Sequence, residues 1–147
     1  PPLRSAADVG ALVDGLADGT MEAISTDHAP HAEEEKKQSI AKAPFGIVGS
    51  ETAYALSVTH LVKTGKLTPL QLVEKMSTNP CRILSVPGGT LSVGAPADIT
   101  IADMDSEYVI DKNTFLSKGK NTPFDGAKVN GRVYYTIVGG NIVYQYE

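Results

Sequence analysis

The segment STDHAPH at residues 25–31 places one carboxylate and two imidazoles close together. Aspartate ligates zinc and transfers protons, and histidine binds anions or metals. Pro30 fixes the backbone ahead of His31, so Asp27 and His31 are predicted to face the same cleft. His28 alternates in direction with Asp27 in an extended chain, which favours a structural hydrogen-bonding role. Two ligands do not hold zinc, so a metal site here needs further ligands.

A second segment, APFGIVGSE at residues 43–51, is typical of a close backbone approach. Pro44 stiffens it, while Gly46 and Gly49 allow a ligand or another backbone to come near. Taken by itself, the segment is a turn that leads into a helix. The mixed-charge run EEEKK at residues 33–37 is predicted to be a solvated loop or helix end.

Patterns typical of helices lie before and after both segments. Ser5 and Asp8 form a capping-box pattern that predicts a helix over residues 5–18. The segment at residues 21–26 is short and contains Ile24, which favours a buried strand directly before Asp27. Further helices are predicted over residues 50–65, from Thr68-Pro69 with Gln71 completing a capping box, and from Asn79-Pro80.

After residue 87 the pattern changes to short β-rich runs, which predicts a domain boundary. These runs lie at residues 98–102, 108–110, 133–138 and 142–146. Gly139-Gly140 predicts a hairpin, because glycine tolerates the positive φ of a tight turn. We therefore expect a barrel portion at residues 1–87 and a small antiparallel β-sandwich portion at residues 88–147.

The order helix, strand, loop, helix in the first portion matches the last segments of an α/β barrel. One strand cannot close a barrel, however. The chain begins PPLRS, without an initiator Met or a strand. We expect it to be the C-terminal part of a longer polypeptide whose N-terminal part supplies the other strands.

The composition argues against two classes of binding partner, nucleic acids and membranes. The 147 residues carry a formal net charge of −4 and no cluster of Lys and Arg interleaved with aromatics, which argues against nucleic-acid binding. No apolar run approaches the roughly 18 residues that cross a bilayer, and the N-terminus lacks signal-peptide features. We expect a cytoplasmic protein that binds neither nucleic acid nor membrane.

Four segments in this order resemble the C-terminal third of the metal-dependent dihydroorotases of the amidohydrolase superfamily. They are DGTMEAISTDHAPH, APFGIVGSETA, TNPCRIL and GTLSVGAPADITIADMD. The resemblance implies an α/β fold in which a (β/α)8 TIM-type barrel is followed by a small β-sandwich. It also implies zinc-dependent, reversible hydrolysis of dihydroorotate to N-carbamoyl-L-aspartate in pyrimidine biosynthesis, with one or two Zn2+ ions in the complete enzyme, and we expect a homodimer.

The same resemblance suggests roles for individual residues. Asp27 is similar to a zinc ligand that is also the general acid and base and contacts substrate, and His31 to a contact of the substrate carboxylate. Phe45 and Gly46 resemble the backbone that meets the dihydroorotate ring. The His-x-His-x-Arg strand, the bridging acid, two further ligand histidines and the Asn before PPLR are not in this sequence.

Two alternatives stay open at this point. A hydantoinase or allantoinase would share the aspartate but has less reason to keep a carboxylate-binding histidine four residues later. A catalytically silent member that acts as a scaffold would lack the upstream ligands, whereas Asp27 and His31 favour an active enzyme.

Overall fold

The computed structural model describes residues 5–147, so the PPLR sequence at residues 1–4 lies outside the described part. Helix α1, Ala6–Asp18, begins as predicted. Ser5 Oγ accepts from the Asp8 N–H at 3.2 Å, and the Asp8 carboxylate accepts from the Ser5 N–H at 2.9 Å. Gly19, with φ of 90°, ends the helix in the left-handed region, where glycine has no Cβ to clash. The capping box was therefore a correct signal for the start of α1.

The predicted strand at residues 21–26 is wrong, since these residues have no regular secondary structure. A strand needs a neighbour, and none of the strands in residues 5–147 pairs with this segment. Its backbone is bound to a helix instead. The Ile24 N–H donates to the Lys75 carbonyl at 3.0 Å, Lys75 Nζ donates to the Met21 carbonyl at 2.8 Å, and Asn79 Nδ2 donates to the Glu22 carbonyl at 2.9 Å.

The middle helices are more continuous than predicted. After α2, Glu33–Lys36, helix α3 spans Ala53–Ser57 and runs into a π-helical turn, Val58–Val62. It starts three residues after Ser50, because residues 50–52 form a turn. The predicted third and fourth helices form one helical run: α4 Pro69–Val73, a π-helical turn Glu74–Thr78 and α5 Asn79–Leu84.

The capping box at the start of α4 is confirmed. Thr68 Oγ1 accepts from the Gln71 N–H at 3.2 Å, and Gln71 Oε1 accepts from the Thr68 N–H at 2.8 Å. Val73, Thr78 and Asn79 keep right-handed helical φ and ψ, so the chain continues through α5 without a break.

The C-terminal half forms one antiparallel sheet in the order β1-β2-β3. The strands are β1 Ile99–Val109, β2 Lys128–Val138 and β3 Asn141–Gln145. The predicted runs at 98–102 and 108–110 both fall in or next to β1, joined across a register shift between Asp103 and Glu107. The hairpin at Gly139-Gly140 is confirmed, with φ of 55° and 81°. The antiparallel unit is thus present, while the closed barrel and the second layer of a sandwich stay predictions.

Helices and sheet share hydrophobic clusters. Ala55 of α3 packs with Ile110 and with Val129 of β2, and all three are buried. A second buried cluster joins Val58, which follows α3, to Leu72 of α4. These contacts connect residues on both sides of the predicted boundary at residue 87, and the division into domains stays a prediction.

An apolar groove of about 720 Å³ separates α4 from the sheet. Leu72 and Met76 line one side, and Ala102, Met104 and Val133 line the other. None of the candidate site residues Asp27, His31, Phe45 and Gly46 borders it. Separately, none of the helices in residues 5–147 has both the length and the apolar character to cross a membrane.

The contact between α3 and β2 depends on Gly131. It has φ of 98°, and a Cβ there would lie 2.9 Å from Val58 Cγ2. Gly126 has a similar φ of 80° but open space around it. Gly131→Ala is expected to reduce the free energy of unfolding by about 1–3 kcal/mol more than Gly126→Ala, because only the first adds overpacking to the backbone strain.

Chemical denaturation of the purified protein carrying each substitution checks this difference. Equal losses for the two variants would mean that the close approach of Gly131 to Val58 does not matter for stability.

Candidate functional site

The site consists of two loops, which we name loop A, residues 27–31, and loop B, residues 43–49. Neither has regular secondary structure. One backbone hydrogen bond joins them directly: the Ala29 N–H donates to the Ile47 carbonyl at 2.9 Å. Their relative position therefore depends largely on side chains.

Asp27 begins loop A in a strained conformation. Its φ of 44° lies in the left-handed region, which costs a non-glycine residue about 1–3 kcal/mol and persists only where the surroundings enforce it. The side chain is exposed, and its carboxylate makes no hydrogen bond or ion pair with any residue in 5–147. Asp27 is thus held at a fixed backbone angle with its charge available to an external partner.

The His31 ring joins the two loops. Its Nε2 lies 2.9 Å from the Phe45 carbonyl, and because a carbonyl only accepts, Nε2 carries a proton in this arrangement. Nδ1 lies 3.6 Å from Glu35 Oε2. Only Nδ1 is left for a ligand. For an anion to accept from it, the ring must be doubly protonated, since neutral Nδ1 is an acceptor.

His28 makes the structural hydrogen bonds predicted for it, although Asp27 is left-handed rather than in the extended conformation that the prediction assumed. Its Nδ1 accepts from the N–H of Gly49 at 3.0 Å and from the N–H of Ser50 at 3.2 Å. An accepting Nδ1 requires the proton to be on Nε2. His28 therefore fixes the end of loop B against loop A.

Loop B approaches loop A most closely at Gly46. Its φ is 105°, and a Cβ there would lie 2.5 Å from the Ala29 Cβ. The predicted close approach at Gly46 thus exists, with the Ala29 methyl group of loop A as the neighbour. Phe45 is 90% exposed, so its ring projects from the loop. The structure brings His31, Phe45 and Gly46 together, and Asp27 lies at the start of the same loop as His31.

Lys36 departs from the solvated role predicted for EEEKK. Most of that run is exposed, as expected, and Lys37 pairs with Glu33 on the surface of α2. The Lys36 ammonium, however, donates to the carbonyls of Pro44 at 2.8 Å and Gly46 at 3.0 Å. Helix α2 therefore supports loop B.

Sequence reasoning missed a third segment, residues 115–122, which connects β1 to β2 and which we name the connecting segment. Asn121 lies on it, half-buried between loops A and B. The Glu51 carboxylate fastens its other end, because it accepts from the N–H groups of Leu116 at 2.7 Å and Ser117 at 3.0 Å. The only local signal is the turn-forming sequence NTP at residues 121–123, which does not indicate a distant partner.

A complete metal site is not present within the described chain. No three side chains of the His, Cys, Asp or Glu type converge anywhere in residues 5–147. Asp27 offers a free carboxylate, the kind of ligand zinc accepts, whereas His31 Nε2 and His28 Nδ1 are engaged with the backbone. The donors therefore fit one part of a metal site, with Asp27 as the available ligand.

The sequence profile of the amidohydrolase family matches residues 2–143. The chain belongs to the amidohydrolase family. Curated relatives of this amidohydrolase include dihydroorotases from Acetivibrio thermocellus, 54% identical over 143 residues, and Bacillus subtilis, 53% identical over 145 residues. The alignments cover 97% and 99% of this chain and 34% of each relative. The chain thus spans about a third of the length of the curated relatives it matches.

Solved structures similar to this amidohydrolase include two hydantoinases. An L-hydantoinase (dihydropyrimidinase) from Arthrobacter aurescens superposes with a TM-score of 0.91 at 35% identity, covering 99% of this chain and 33% of that one. A D-hydantoinase (dihydropyrimidinase) from Thermus sp. gives a TM-score of 0.88 at 29% identity, with the same coverage of each chain. The backbone of this segment is thus shared with these two hydantoinases.

Substitution of His28 tests its structural role in this amidohydrolase. His28→Ala removes the acceptor for two N–H groups and is expected to destabilise the protein by about 1–3 kcal/mol. His28→Asn places an amide oxygen near the position of Nδ1, so it should recover at least half of that loss. Thermal denaturation measures the stability, and hydrogen exchange reports the Gly49 and Ser50 amides.

His60→Asn, on an exposed helical position, is the matched control. A His28→Asn variant that is no more stable than His28→Ala would contradict the acceptor role.

Proposed function

We propose that this amidohydrolase segment is part of a dihydroorotase, which catalyses the reversible hydrolysis of dihydroorotate to N-carbamoyl-L-aspartate in pyrimidine biosynthesis. The observation that carries the proposal is the 51–57% identity to curated dihydroorotases over nearly the whole chain. The hydantoinase structures are less similar, at 25–35% identity.

Asp27 is proposed as a zinc ligand and as the general acid and base. Zinc, when bound, polarises the ring carbonyl and makes a water more acidic. The Asp27 carboxylate would accept the proton of the attacking water and deliver it to the ring nitrogen as the C–N bond breaks. An amide nitrogen is a poor leaving group as an anion, so this delivery is required. The left-handed backbone of Asp27 favours the role, because strain of this kind is concentrated at functional sites.

His31, Phe45 and Gly46 are proposed to bind the substrate. His31 would contact the substrate carboxylate through Nδ1, while Nε2–H keeps its bond to the Phe45 carbonyl. The Gly46 N–H has no acceptor within residues 5–147 and is suited to donate to a ring carbonyl. Because His31 is bonded to loop B, its contact with the substrate carboxylate and the contact of Gly46 with the substrate ring would move together.

The remaining parts of the enzyme are proposed to come from the same polypeptide. The N-terminal two-thirds would supply the other ligands for one or two zinc ions, the remaining barrel strands and the Asn that the resemblance places before PPLR. The exposed side chains of Leu12 and Val73, 37% and 46% accessible, favour further packing on these helices, while Leu56 already packs on the cluster around Ala55. A cytoplasmic homodimer completes the proposal.

A composite enzyme tests the assignment. In it, residues 1–147 replace the aligned third of the Bacillus subtilis dihydroorotase, so that the remaining two-thirds comes from a curated dihydroorotase. We expect hydrolysis of dihydroorotate with a kcat/KM at least about tenfold above that for hydantoin and allantoin, the size of effect that a positioned polar contact supplies. A folded, zinc-loaded composite that prefers hydantoin would instead support the second candidate, a hydantoinase, with which the structural neighbours are compatible.

Asp27→Asn in the composite enzyme is expected to lower kcat by about 100- to 10,000-fold, because the amide keeps the shape of the side chain but loses the basic oxygen. Asp14→Asn, an exposed acid on α1, is the matched control and should leave kcat unchanged. Steady-state hydrolysis and circular dichroism measure activity and fold. Activity of Asp27→Asn within about tenfold of the parent would remove Asp27 from the mechanism.

His31→Ala is expected to weaken the reaction with dihydroorotate more than with dihydrouracil, the neutral analogue that lacks the carboxylate. The loss in kcat/KM for dihydroorotate should reach about 10- to 100-fold, and the smaller loss for the analogue would measure the contribution of the His31 bond to loop B. His60→Ala is the control. Equal losses for the two substrates, taken from initial rates or from competitive inhibition, would exclude the carboxylate contact.

A further inference from the structure

Asn121 forms hydrogen bonds to both loops of the site at once. Its side-chain oxygen accepts from the His31 N–H at 3.1 Å. Its side-chain nitrogen donates to the Ala29 carbonyl at 2.9 Å and to the Gly46 carbonyl at 3.2 Å. Because an N–H must meet the oxygen and two carbonyls must meet the NH₂ group, the orientation of the amide is unambiguous.

The main chain of Asn121 adds a fourth bond, since its carbonyl accepts from the Val48 N–H at 3.1 Å. One residue therefore contacts loop A at Ala29 and His31 and loop B at Gly46 and Val48. No other asparagine in residues 5–147 has its side chain bonded to both loops.

The connecting segment lies flush against loop A beside Asn121. A Cβ on Gly119, which is buried, would be 2.7 Å from the Pro30 Cβ. Glu51 fastens the far end of the segment through the N–H groups of Leu116 and Ser117. The part of the connecting segment that precedes Asn121 is thus held at two points, and a side chain on a fixed backbone can hold the loops that it binds in one position.

We propose that Asn121 is the positioning residue of the active site, which sets the register of loop A against loop B and thereby places His31 and Gly46 for the substrate. The kinetic effects expected from this inference rest on the proposed function, whereas the hydrogen bonds that set the register of the loops do not. Asn121 does not touch the reacting atoms in this proposal. It acts through the backbone of His31 and Gly46.

The chemistry of the site requires a carboxamide at this position. Aspartate has the same shape and keeps the acceptor for the His31 N–H, but it has no N–H to donate, and its charge would face the carbonyls of Ala29 and Gly46. Alanine removes the acceptor as well as the donors. The two substitutions therefore separate the bonds to the carbonyls from the bond to His31.

The experiment uses Asn121→Asp and Asn121→Ala in the composite enzyme, with Asn141→Asp as the matched control. Asn141 is exposed at the start of β3 and makes only a local bond to the Gly139 carbonyl, so its substitution changes the charge equally. Hydrogen exchange read by mass spectrometry follows peptides that cover residues 27–32, 44–49 and 128–138. Zinc content and the melting temperature are measured on the same samples.

We expect at least about tenfold faster exchange in residues 27–32 and 44–49 for both Asn121 variants, with residues 128–138 and the control unchanged, because a hydrogen-bonded loop opens locally. The value of kcat/KM for dihydroorotate should fall by about 10- to 100-fold, mainly through KM, at unchanged zinc content. Combined with His31→Ala, Asn121→Asp should cost less than the product of the two single losses, since both act on one unit.

Three results would overturn the positioning role: unchanged exchange in the loops, equal acceleration in residues 128–138, or losses that multiply with those of His31→Ala. The first two are read without activity. A composite that is inactive on dihydroorotate but shows the loop-specific exchange would refute the proposed function and leave the positioning of the loops intact. Unchanged exchange in a composite that hydrolyses dihydroorotate would refute the positioning role and leave the proposed function intact.

Discussion

Loops A and B have to keep a fixed register without a β-ladder, and this constraint governs the site. A single backbone hydrogen bond, from Ala29 to Ile47, joins them directly. Side chains supply the rest: the His31 ring reaches the Phe45 carbonyl, and the His28 ring reaches the Gly49 amide. Because both imidazoles bond to the opposite loop, the residues suited to chemistry by type are also the residues that hold the site together.

The different roles proposed for Asp27 and for the histidines agree with these contacts. Both rings have one nitrogen committed to the backbone, whereas the Asp27 carboxylate is free within the described chain. A group that binds a cation and moves protons needs such freedom, and a group that holds a loop does not. The left-handed backbone at Asp27, with φ of 44°, agrees with the same reasoning, since strained non-glycine residues are concentrated at functional sites.

Local patterns predicted local structure well. The capping boxes at Ser5 and Thr68 and the glycine pair at 139–140 each depend on atoms within a few residues, so sequence alone placed two helix starts and a hairpin. The strand at residues 21–26 was wrong because a strand depends on a partner rather than on its own apolar content.

The candidate site shows the same limit. STDHAPH indicated the residues with suitable chemistry, and the resemblance suggested their roles, which stay predictions. The contacts of Asn121 with Ala29 and His31 span about 90 positions of the chain, and no periodicity or spacing rule connects residues so far apart. Lys36 was missed for a related reason: a charged run is usually solvated, and only the fold shows which member turns inward.

The attachment of residues 21–24 to the helical run at 69–84 has a consequence for tolerance to mutation. In a β-ladder every residue brings the same backbone groups, so most substitutions leave the pairing intact. Here the amine of Lys75, whose side chain is buried, and the amide of Asn79 take the place of those groups. Apart from the bond between the Ile24 N–H and the Lys75 carbonyl, the attachment of this segment depends on the identity of two side chains, so substitution of Lys75 or Asn79 would displace the residues that lead to Asp27.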